Sequence, residues 1–403
     1  MTVQNSALLQ ATVRNAALFM AATQARNLTN LLTGPVPKGQ KDVGRLQTDP
    51  GAPIVRITEL ETQAGKTVTV DLIHKISKKP TMGGQVLAGR GDNMSFAHDS
   101  ISINQGRHML GDGGKMMQQT TGQDLPAIAK KLLKGYVLDL DEETTLYHLS
   151  GARGSDYSHK HIVPLETDPE FAEIMVNEVL PPTYSRHFYG GDATSIEQLD
   201  STDTMSLAVI DNLSLFTQEM GSDIPYVQLN PEDTDGEDPF YVMFITPRQW
   251  YDLQQQATTK DYNQMQANAL SRSKTYKHRV FDGSCLMREN ILVKKLTRRV
   301  RFDVGHNVKV CKNDRAATTE LKTVAVPVER AFVLGAQALG VAYGQTKTAK
   351  SHFNLHEEKT DHGDKQEFSV AWCNGKKALR FKDRDGFMHD HGRIIVDTAV
   401  STR

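Results

Sequence analysis

The sequence has few cysteines, almost no net charge and no long apolar run near its amino terminus, and each shortage excludes a class of protein. Its three cysteines, Cys285, Cys311 and Cys373, fit neither a disulfide framework nor a zinc knuckle and are typical of a reducing compartment. Lys and Arg number 47 against 48 Asp and Glu, so the overall basic excess of a dedicated nucleic-acid binder is missing. The apolar run over residues 16–22 is far shorter than the roughly 20 residues that span a bilayer. No secretory signal precedes it, and we expect a soluble protein.

The charge is segregated along the chain even though the total is close to zero. Residues 1–50 carry a net charge of +3, residues 223–238 contain six acids and no base, and residues 272–315 reach +9. With 24% charged and 38% hydrophobic residues, the composition is that of an ordinary globular protein. A length of 403 residues predicts two or three packing units rather than one compact core.

The apolar pattern predicts a mixture of helices and strands. Residues 1–30 have helical spacing and end at a Gly-Pro turn, which predicts a basic helical arm. Two alternating segments about thirty residues apart predict the strands of a long hairpin around a Gly-rich stretch. The apolar residues of these two strands are Val68, Val70, Leu72, Ile101 and Ile103. Because an isolated two-stranded ribbon is marginally stable in water, such a hairpin indicates a surface on which it lies.

Further along, Asp124 and Pro126 indicate the start of a long helix that runs to Gly151. We predict that its apolar face comprises Ile128, Leu132, Leu133 and Tyr136. A shorter helix is predicted within residues 203–220, and residues 241–247 predict a buried strand, a capping Thr and the start of the next helix. The small-residue segment 328–343 predicts another helix, and strands are expected around residues 368–372, 378–381 and 393–397.

Two clusters of residues offer chemistry. His352, His356 and Glu357 form the most metal-like group, since two His four residues apart could share one helix face, but we favour a solvated connecting loop because such a stretch has no fixed ligand geometry. The alternation Lys295, Thr297, Arg299, Arg301 would place cations on one strand face, where they could meet phosphates or an acidic protein surface. A solvated strand edge defended by cations is the alternative. We find no local combination of nucleophile, base and orienting group.

The order of elements resembles the major capsid proteins of tailed bacteriophages, with the Hong Kong ninety-seven type fold, and most closely the coat proteins of N-four-like podoviruses. The motifs that carry the resemblance are GKTVTVDLIHKISKKPTMGGQVLAG, ISINQGRH, YVMFITPRQWYDLQ, ERAFVLGAQALGVAYG and EFSVAWCNGKKALRF. Their order along residues 65–381 covers most of the chain.

The resemblance implies an α+β fold with an N-terminal arm, an extended two-stranded loop, a peripheral domain with a long spine helix, and an axial domain. The corresponding boundaries are 1–53 for the arm, 54–110 for the extended loop and 111–270 for mainly the peripheral domain. Residues 271–370 would form mainly the axial domain, and 371–403 would be strands that return to the body. In this family the extended loop lies over a neighbouring subunit, which implies inter-subunit contacts for the five apolar residues of the hairpin strands.

The implied function is that of a non-enzymatic major capsid protein that assembles into an icosahedral shell around double-stranded DNA. The implied partners are copies of itself in hexamers and pentamers, portal, scaffolding and decoration proteins, and packaged DNA on the inner face, without a membrane or a cofactor. The resemblance also implies that the protein is located in the virion capsid and is assembled in the host cytoplasm. We further predict that Arg298, Arg299 and Arg301 form a basic patch for a partner or DNA, and that the arm lies on the inner surface or under a neighbour. An encapsulin-like cargo shell and a metal-dependent enzyme using His352, His356 and Glu357 are the alternatives.

Overall fold

The computed structural model describes residues 28–35, 47–58, 65–74, 76, 78–121, 124–155, 161–219, 224–228, 240–275, 280–281, 285–296, 298–313, 318–344 and 353–400. The helical arm predicted for residues 1–30 therefore lies almost entirely outside the described residues. Within these ranges, no helix combines the length and the apolar character needed to cross a membrane.

The elements follow one another in a mixed order of helices and strands. The helices are α1 (Leu28–Leu32), α2 (Lys115–Thr121), α3 (Leu125–Ser150), α4 (Pro169–Met175), α5 (Leu207–Glu219), α6 (Pro247–Gln256) and α7 (Thr259–Thr275). The first nine strands are β1 (Ile54–Ile57), β2 (Thr67–Ile73), β3 (Phe96–Ser102), β4 (Asn104–Gly111), β5 (His187–Tyr189), β6 (Tyr241–Ile245), β7 (Leu286–Arg288), β8 (Ile291–Lys295) and β9 (Arg301–Phe302). The others are β10 (Asn307–Cys311), β11 (Thr319–Thr323), β12 (Val328–Leu334), β13 (Leu339–Tyr343), β14 (Phe353–Thr360), β15 (Lys365–Ala378), β16 (Arg380–Lys382), β17 (Met388–Asp390) and β18 (Arg393–Ala399).

A seven-stranded mixed sheet forms the larger core. Its order is β5-β18-β12-β6-β8-β7, and β9 also pairs with β12. All residues of β6, β12 and β18 are buried, so these strands have apolar contacts on both faces. Phe244 of β6 stacks on Phe332 of β12 across the register that pairs them. Strands buried on both faces lack the alternation of a half-exposed strand.

The helix predicted for residues 328–343 is wrong. This segment forms β12 and β13, separated by a turn in which Gln337 has a φ of 54°. Its continuous apolar character comes from burial on both strand faces rather than from one face of a helix, a distinction that periodicity alone does not make.

The second sheet has five strands and packs against the longest helix. Its order is β1-β13-β15-β14, and β4 pairs with β15 on the edge opposite to β14. Side chains of α3 meet those of β15 in a small core made of Ala129, Leu133, Val137, Phe353, Phe368 and Val370. Both sheets take strands from distant parts of the sequence, so the domain boundaries stay a prediction.

Helix α3 begins and ends where the sequence indicates. The Asp124 carboxylate accepts a hydrogen bond from the backbone N–H of Ala127 at 3.2 Å, and Gly151 ends the helix with a φ of 70°. The predicted apolar face is only partly correct, because Leu133 is buried whereas Ile128 and Leu132 are 39% and 59% exposed.

The strand-turn-helix prediction is confirmed. β6 leads directly to α6, and Thr246 forms a capping box with Gln249 in which each side chain bonds the other residue's backbone N–H. The predicted shorter helix is α5, with Ile210 and Leu213 buried. Strands β15, β16 and β18 cover the three C-terminal strand predictions.

Candidate functional site

The predicted hairpin is a two-stranded antiparallel ribbon. β2 and β3 pair from Thr67 with Ser102 to Ile73 with Phe96, and residues 74–95 connect them. We call this connection the hairpin loop. One face of β2 is exposed at Thr67, Thr69 and Asp71, while the other turns inward. The alternation read from the sequence therefore corresponds to a half-buried ribbon.

The inward face of the ribbon packs on the chain's own body. Val68, Ile101 and Ile103 are buried in a cluster with Val55 and Phe381, and Val70 and Leu72 pack against the same cluster while partly buried. These are the residues for which we predict inter-subunit contacts. In the single chain their apolar surface is already occupied, and their role between subunits stays a prediction.

Ion pairs fasten the ribbon and the hairpin loop to the body. The Asp99 carboxylate of β3 accepts hydrogen bonds from the Lys377 ammonium group and, at 3.2 Å, from the backbone N–H of Arg380. The Arg384 guanidinium group forms a bidentate pair with Asp92 and donates to the Asn93 carbonyl at 3.1 Å. The ribbon is thus held near the middle of β3, and the hairpin loop at Asp92, by groups of the C-terminal quarter of the chain.

The hairpin loop exposes a row of large apolar side chains. Five of them have exposed fractions of 68% to 75%, namely Ile76, Met82, Val86, Leu87 and Met94. Isolated exposed apolar residues are normal, but a concentration of them in one loop marks an interaction surface. The sequence showed the Gly-rich hairpin but not this division, in which the strands pack inward and the loop stays open.

The predicted basic patch is engaged inside the chain. Arg298 pairs with Glu143 and, at 2.8 Å, with Asp139. Arg299 pairs with Glu329 at 3.2 Å. The strand face predicted from the alternation of residues 295–301 is wrong, because β8 ends at Lys295 and β9 begins only at Arg301. Thr297 lies outside the described residues.

Arg301 completes this group by bonding Asp303 at 2.8 Å. Burial raises the pKa of the Glu329 carboxyl, while Thr246, Arg299 and Arg301 oppose that rise. The guanidinium groups therefore stabilise acids of the same subunit, and a role toward a partner or DNA stays a prediction.

The metal-like cluster does not have the geometry assumed from the sequence. His356 and Glu357 are consecutive residues of the strand β14 and so point to opposite faces, and Glu357 pairs with Lys130 at 2.8 Å. His352 lies outside the described residues. Among the residues that the structure does describe, no group of three or more His, Cys, Asp or Glu is placed to hold a metal ion.

A cavity of about 360 Å³ lies between α3 and the β4 edge of the five-stranded sheet. Its wall includes Tyr136, Leu140 and Trp372, together with a buried pair in which the Lys376 ammonium group bonds the Asp141 carboxylate at 2.7 Å. His148 belongs to the same wall, and burial lowers its pKa to about 3, with the charge of Lys376 adding to the effect. The His148 Nε2 atom is buried and has no hydrogen-bond partner among the described residues.

A second cavity, of about 410 Å³, lies at the root of the ribbon. Its lining includes His74 from β2's end and His389 and His391 from the β17 hairpin. Burial lowers the pKa of His391 to about 4, and the nearby Arg186 guanidinium group contributes. The wall of each cavity therefore includes a histidine whose pKa is lowered by burial.

The chain is similar in sequence and fold to known phage proteins. Residues 2–402 match a family model described as phage capsid protein. The capsid of Ralstonia phage GP4 aligns with a TM-score of 0.69 and 28% identity over 88% of this chain and 89% of that chain. The cyanophage Pam1 capsid aligns with a TM-score of 0.60 and 16% identity over 88% of this chain and 90% of that one. The head structure of Helicobacter pylori bacteriophage KHP40 has a TM-score of 0.57 and 10% identity, with 88% of each chain covered. A search of curated protein sequences finds no match.

Proposed function

The chain belongs to the phage capsid protein family, and from this premise we propose how it builds a shell as the major capsid protein of a tailed phage. It is a structural protein with the α+β fold of the Hong Kong ninety-seven type, and copies of it form the capsid. The arrangement within the shell, the other partners and the N-four-like subtype belong to the proposal.

The observation that carries the proposal is the contrast between the ribbon and its loop. The ribbon is fixed to its own subunit by buried apolar contacts and by the Asp99 and Asp92 ion pairs, yet the hairpin loop leaves Val86 and Leu87 exposed. A rigidly mounted apolar loop is suited to bury its side chains on a second copy of the chain. We assign that contact to neighbours in hexamers and pentamers.

Genome enclosure and the remaining partners extend this proposal. We expect double-stranded DNA on the inner face, and contacts with portal, scaffolding and decoration proteins in a virion assembled in the host cytoplasm. The segregated charge supports self-association, because complementary patches set the register of repeated contacts. The proposed domain limits remain 1–53, 54–110, 111–270, 271–370 and 371–403.

The test replaces one loop residue and images the particles. Leu87→Asp should leave the thermal unfolding of the subunit unchanged and reduce closed shells in negative-stain micrographs at least about tenfold, because a charge would have to be buried at each contact. The control Leu87→Met keeps an apolar side chain of similar volume and should assemble normally. Wild-type shell yield from Leu87→Asp would contradict the loop contact.

The content of the particles tests the proposal that the shell encloses double-stranded DNA. Purified wild-type particles should contain nuclease-protected double-stranded DNA. Particles that instead enclose a protein cargo would support an encapsulin-like shell and contradict genome enclosure.

A further inference from the structure

The cavity of about 360 Å³ between α3 and β4 has the size of a small-molecule site. Pockets that hold such ligands usually have volumes of roughly 300–1,000 Å³ and walls that are mainly apolar with a few polar groups. Apolar side chains of α3 and of the end of α4 contribute to this wall, namely Val137, Leu140, Ile174, Met175 and Val176. The proposed contact of the hairpin loop with a second copy does not use this cavity.

Two aromatic rings of the wall are held in place by β4. Tyr136 stacks on His108, with ring centroids 4.1 Å apart and an angle of 16° between the ring planes. The Trp372 indole lies so close to Gly106 that a Cβ there would be 2.4 Å from the ring. The centroids of the Tyr136 and Trp372 rings are 6.4 Å apart. The wall therefore offers fixed aromatic surfaces to a flat apolar body before any ligand binds.

A buried nitrogen of this wall lacks a hydrogen-bond partner. Burial lowers the pKa of His148 to about 3, so its imidazole is uncharged near neutral pH. The ring's hydrogen bond with the Met175 backbone occupies one nitrogen, which leaves Nε2 as an acceptor. Among the described side chains of the wall, Nε2 is the one fully buried nitrogen or oxygen atom without a partner. A buried acceptor without a donor is destabilising, so a ligand that supplies the donor gains affinity.

The surroundings of His148 select the kind of donor. The charges of Lys376, Arg393 and Lys377 all lower the pKa of this imidazole, so cations already face it. The nearby Asp141 carboxylate is engaged by the Lys376 ammonium group at 2.7 Å. A protonated amine would be repelled here, whereas an uncharged N–H or O–H group would not. Because His148 is 1% exposed, only a narrow group fits against it, such as the edge of a planar ring.

The backbone next to this histidine is strained where it lines the cavity. Val176 has a φ of 63° and a ψ of −56°, and the Asn177 N–H donates to the Met175 carbonyl at 2.7 Å. This is the rare form of γ-turn with a positive central φ, which a β-branched residue seldom adopts. Strained backbone is concentrated at ligand sites, where the surrounding structure holds it in place. The strain thus occurs in the same wall as the unsatisfied nitrogen.

We propose that this cavity binds a flat, uncharged aromatic molecule that carries one N–H or O–H donor on its edge, of the indole or phenol class. The ring of the ligand lies against Tyr136 and Trp372, and its donor bonds His148 Nε2. Since the wall combines α3 with β4 and β15, the bound molecule stabilises the packing of the helix on the sheet. The inference concerns the single subunit and does not depend on the hairpin-loop contact between subunits.

Two probes of nearly equal shape, indole and indene, test the site in the full-length subunit. Both are flat bicyclic molecules, but only indole carries an N–H group. Indole should raise the melting temperature of the subunit and bind at least about tenfold more tightly than indene, because indene leaves Nε2 without a donor. Equal affinities for the two probes, or no change in melting temperature with either, would overturn the proposal.

A substitution assigns the preference for indole to His148. His148→Leu removes the acceptor and keeps a buried side chain, so the ratio of the two dissociation constants should fall to about one. The matched control is His391→Leu, which removes a histidine from the wall of the other cavity and should keep the preference for indole. A preference that survives in His148→Leu would contradict the bond to Nε2.

Cryo-electron microscopy of wild-type shells provides a readout that needs no variant. Shells incubated with saturating indole should show added density in the cavity, against the rings of Tyr136 and Trp372 and next to His148. A cavity that is unchanged by indole, or indole density found only elsewhere on the subunit, would refute the site even if both variants fail to fold.

Discussion

Arg330 and Asp397 form a bidentate ion pair with two 2.7 Å bonds in the middle of the seven-stranded sheet, and both side chains are fully buried. The two residues face each other in the register of β12 and β18. Burial alone would raise the pKa of Asp397, but Arg330 and His187 hold it well below the usual range. Arg330 also donates to the Ser150 carbonyl at 3.1 Å, which places a cation at the C-terminal end of α3. The pair thus joins the sheet to the spine helix.

Removing one partner of this pair should be strongly destabilising. Asp397→Asn leaves the Arg330 guanidinium group buried without its counter-charge, and we expect a loss of about 3–5 kcal/mol in the free energy of unfolding. The control is Asp211→Asn, which breaks the partly exposed bidentate pair with Arg288 and should lose at most about 1 kcal/mol. Denaturant unfolding of the subunits compares the two, and equal losses would contradict the central role of the buried pair.

Acidic pH should lower the folding stability of the subunit through protonation of His148. Its pKa of about 3 in the folded chain lies below the ordinary value of 6.5, so the unfolded chain binds more protons between these values. Stability from this group is complete above about pH 6.5 and falls by about 1.4 kcal/mol for each pH unit below it. His391, with a pKa of about 4, adds a second loss of the same sign.

The variant His148→Gln should reduce the slope of stability against pH between about pH 4.5 and 6 by about one proton. His98→Gln is the control, since His98 is an exposed residue of the ribbon that pairs with Asp71 at 2.7 Å. An unchanged slope in His148→Gln would show that the cavity histidine is not the group that titrates.

Replacement of two glycines by alanine should change the stability of the subunit in opposite directions. A Cβ at Gly375 would overlap the backbone carbonyl of Ser102, where the ribbon meets β15. We expect Gly375→Ala to destabilise the subunit by about 2 kcal/mol or more, because a backbone atom has to move. Gly135 lies within α3 with open space at its Cβ, and Gly135→Ala should stabilise by about 1 kcal/mol. Melting temperatures check both, and a neutral Gly375→Ala would refute the close packing of the ribbon on β15.

Neutralising Arg298 should lower the stability of the folded subunit, and any assembly defect should follow from that loss. Arg298→Gln removes the charge that faces Glu143, a fully buried carboxylate that also accepts hydrogen bonds from the N–H groups of Ile162 and Val163. We expect a loss of about 1–3 kcal/mol in subunit stability. Lys309→Gln, on the exposed side of β10, should have no such effect.

Charge reversal of Arg298, Arg299 and Arg301 together extends this comparison. We predict that it disrupts assembly or genome retention, and the ion pairs imply that unfolding of the subunit accompanies the defect. A triple variant with wild-type stability whose shells have lost their DNA would instead identify these residues as a genome contact.

Local features of the sequence correctly predict two helices from their capping residues and one strand from its alternating polarity. Asp124, Pro126 and Gly151 fix α3 because each satisfies a need of the helix ends, and the Thr246 capping box does the same for α6. The alternation of β2 identifies a half-buried strand because one side of the ribbon faces solvent. These features depend on interactions within a few residues.

Features that depend on distant residues were not predictable. Residues 328–343 resemble a helix because both faces of β12 are covered by elements far away in sequence, which removes the alternation. The exposed Leu132 follows the helical pattern, but its exposure depends on which segment lies against it. The basic residues at 298–301 resemble an exposed basic patch in the sequence, because their acidic partners at positions 139, 143 and 329 are distant in the chain. The resemblance to capsid proteins supplied the fold that these patterns left open.

The position of β18 has a consequence for the order in which the protein is made and assembled. This strand, residues 393–399, lies between β5 and β12 and carries Asp397, so the seven-stranded sheet closes only after nearly the whole sequence has left the ribosome. A nascent chain that still lacks these residues has no completed seven-stranded sheet. We therefore expect synthesis itself to delay the moment at which a subunit becomes competent to associate, and we expect truncated chains to be kept out of the growing shell.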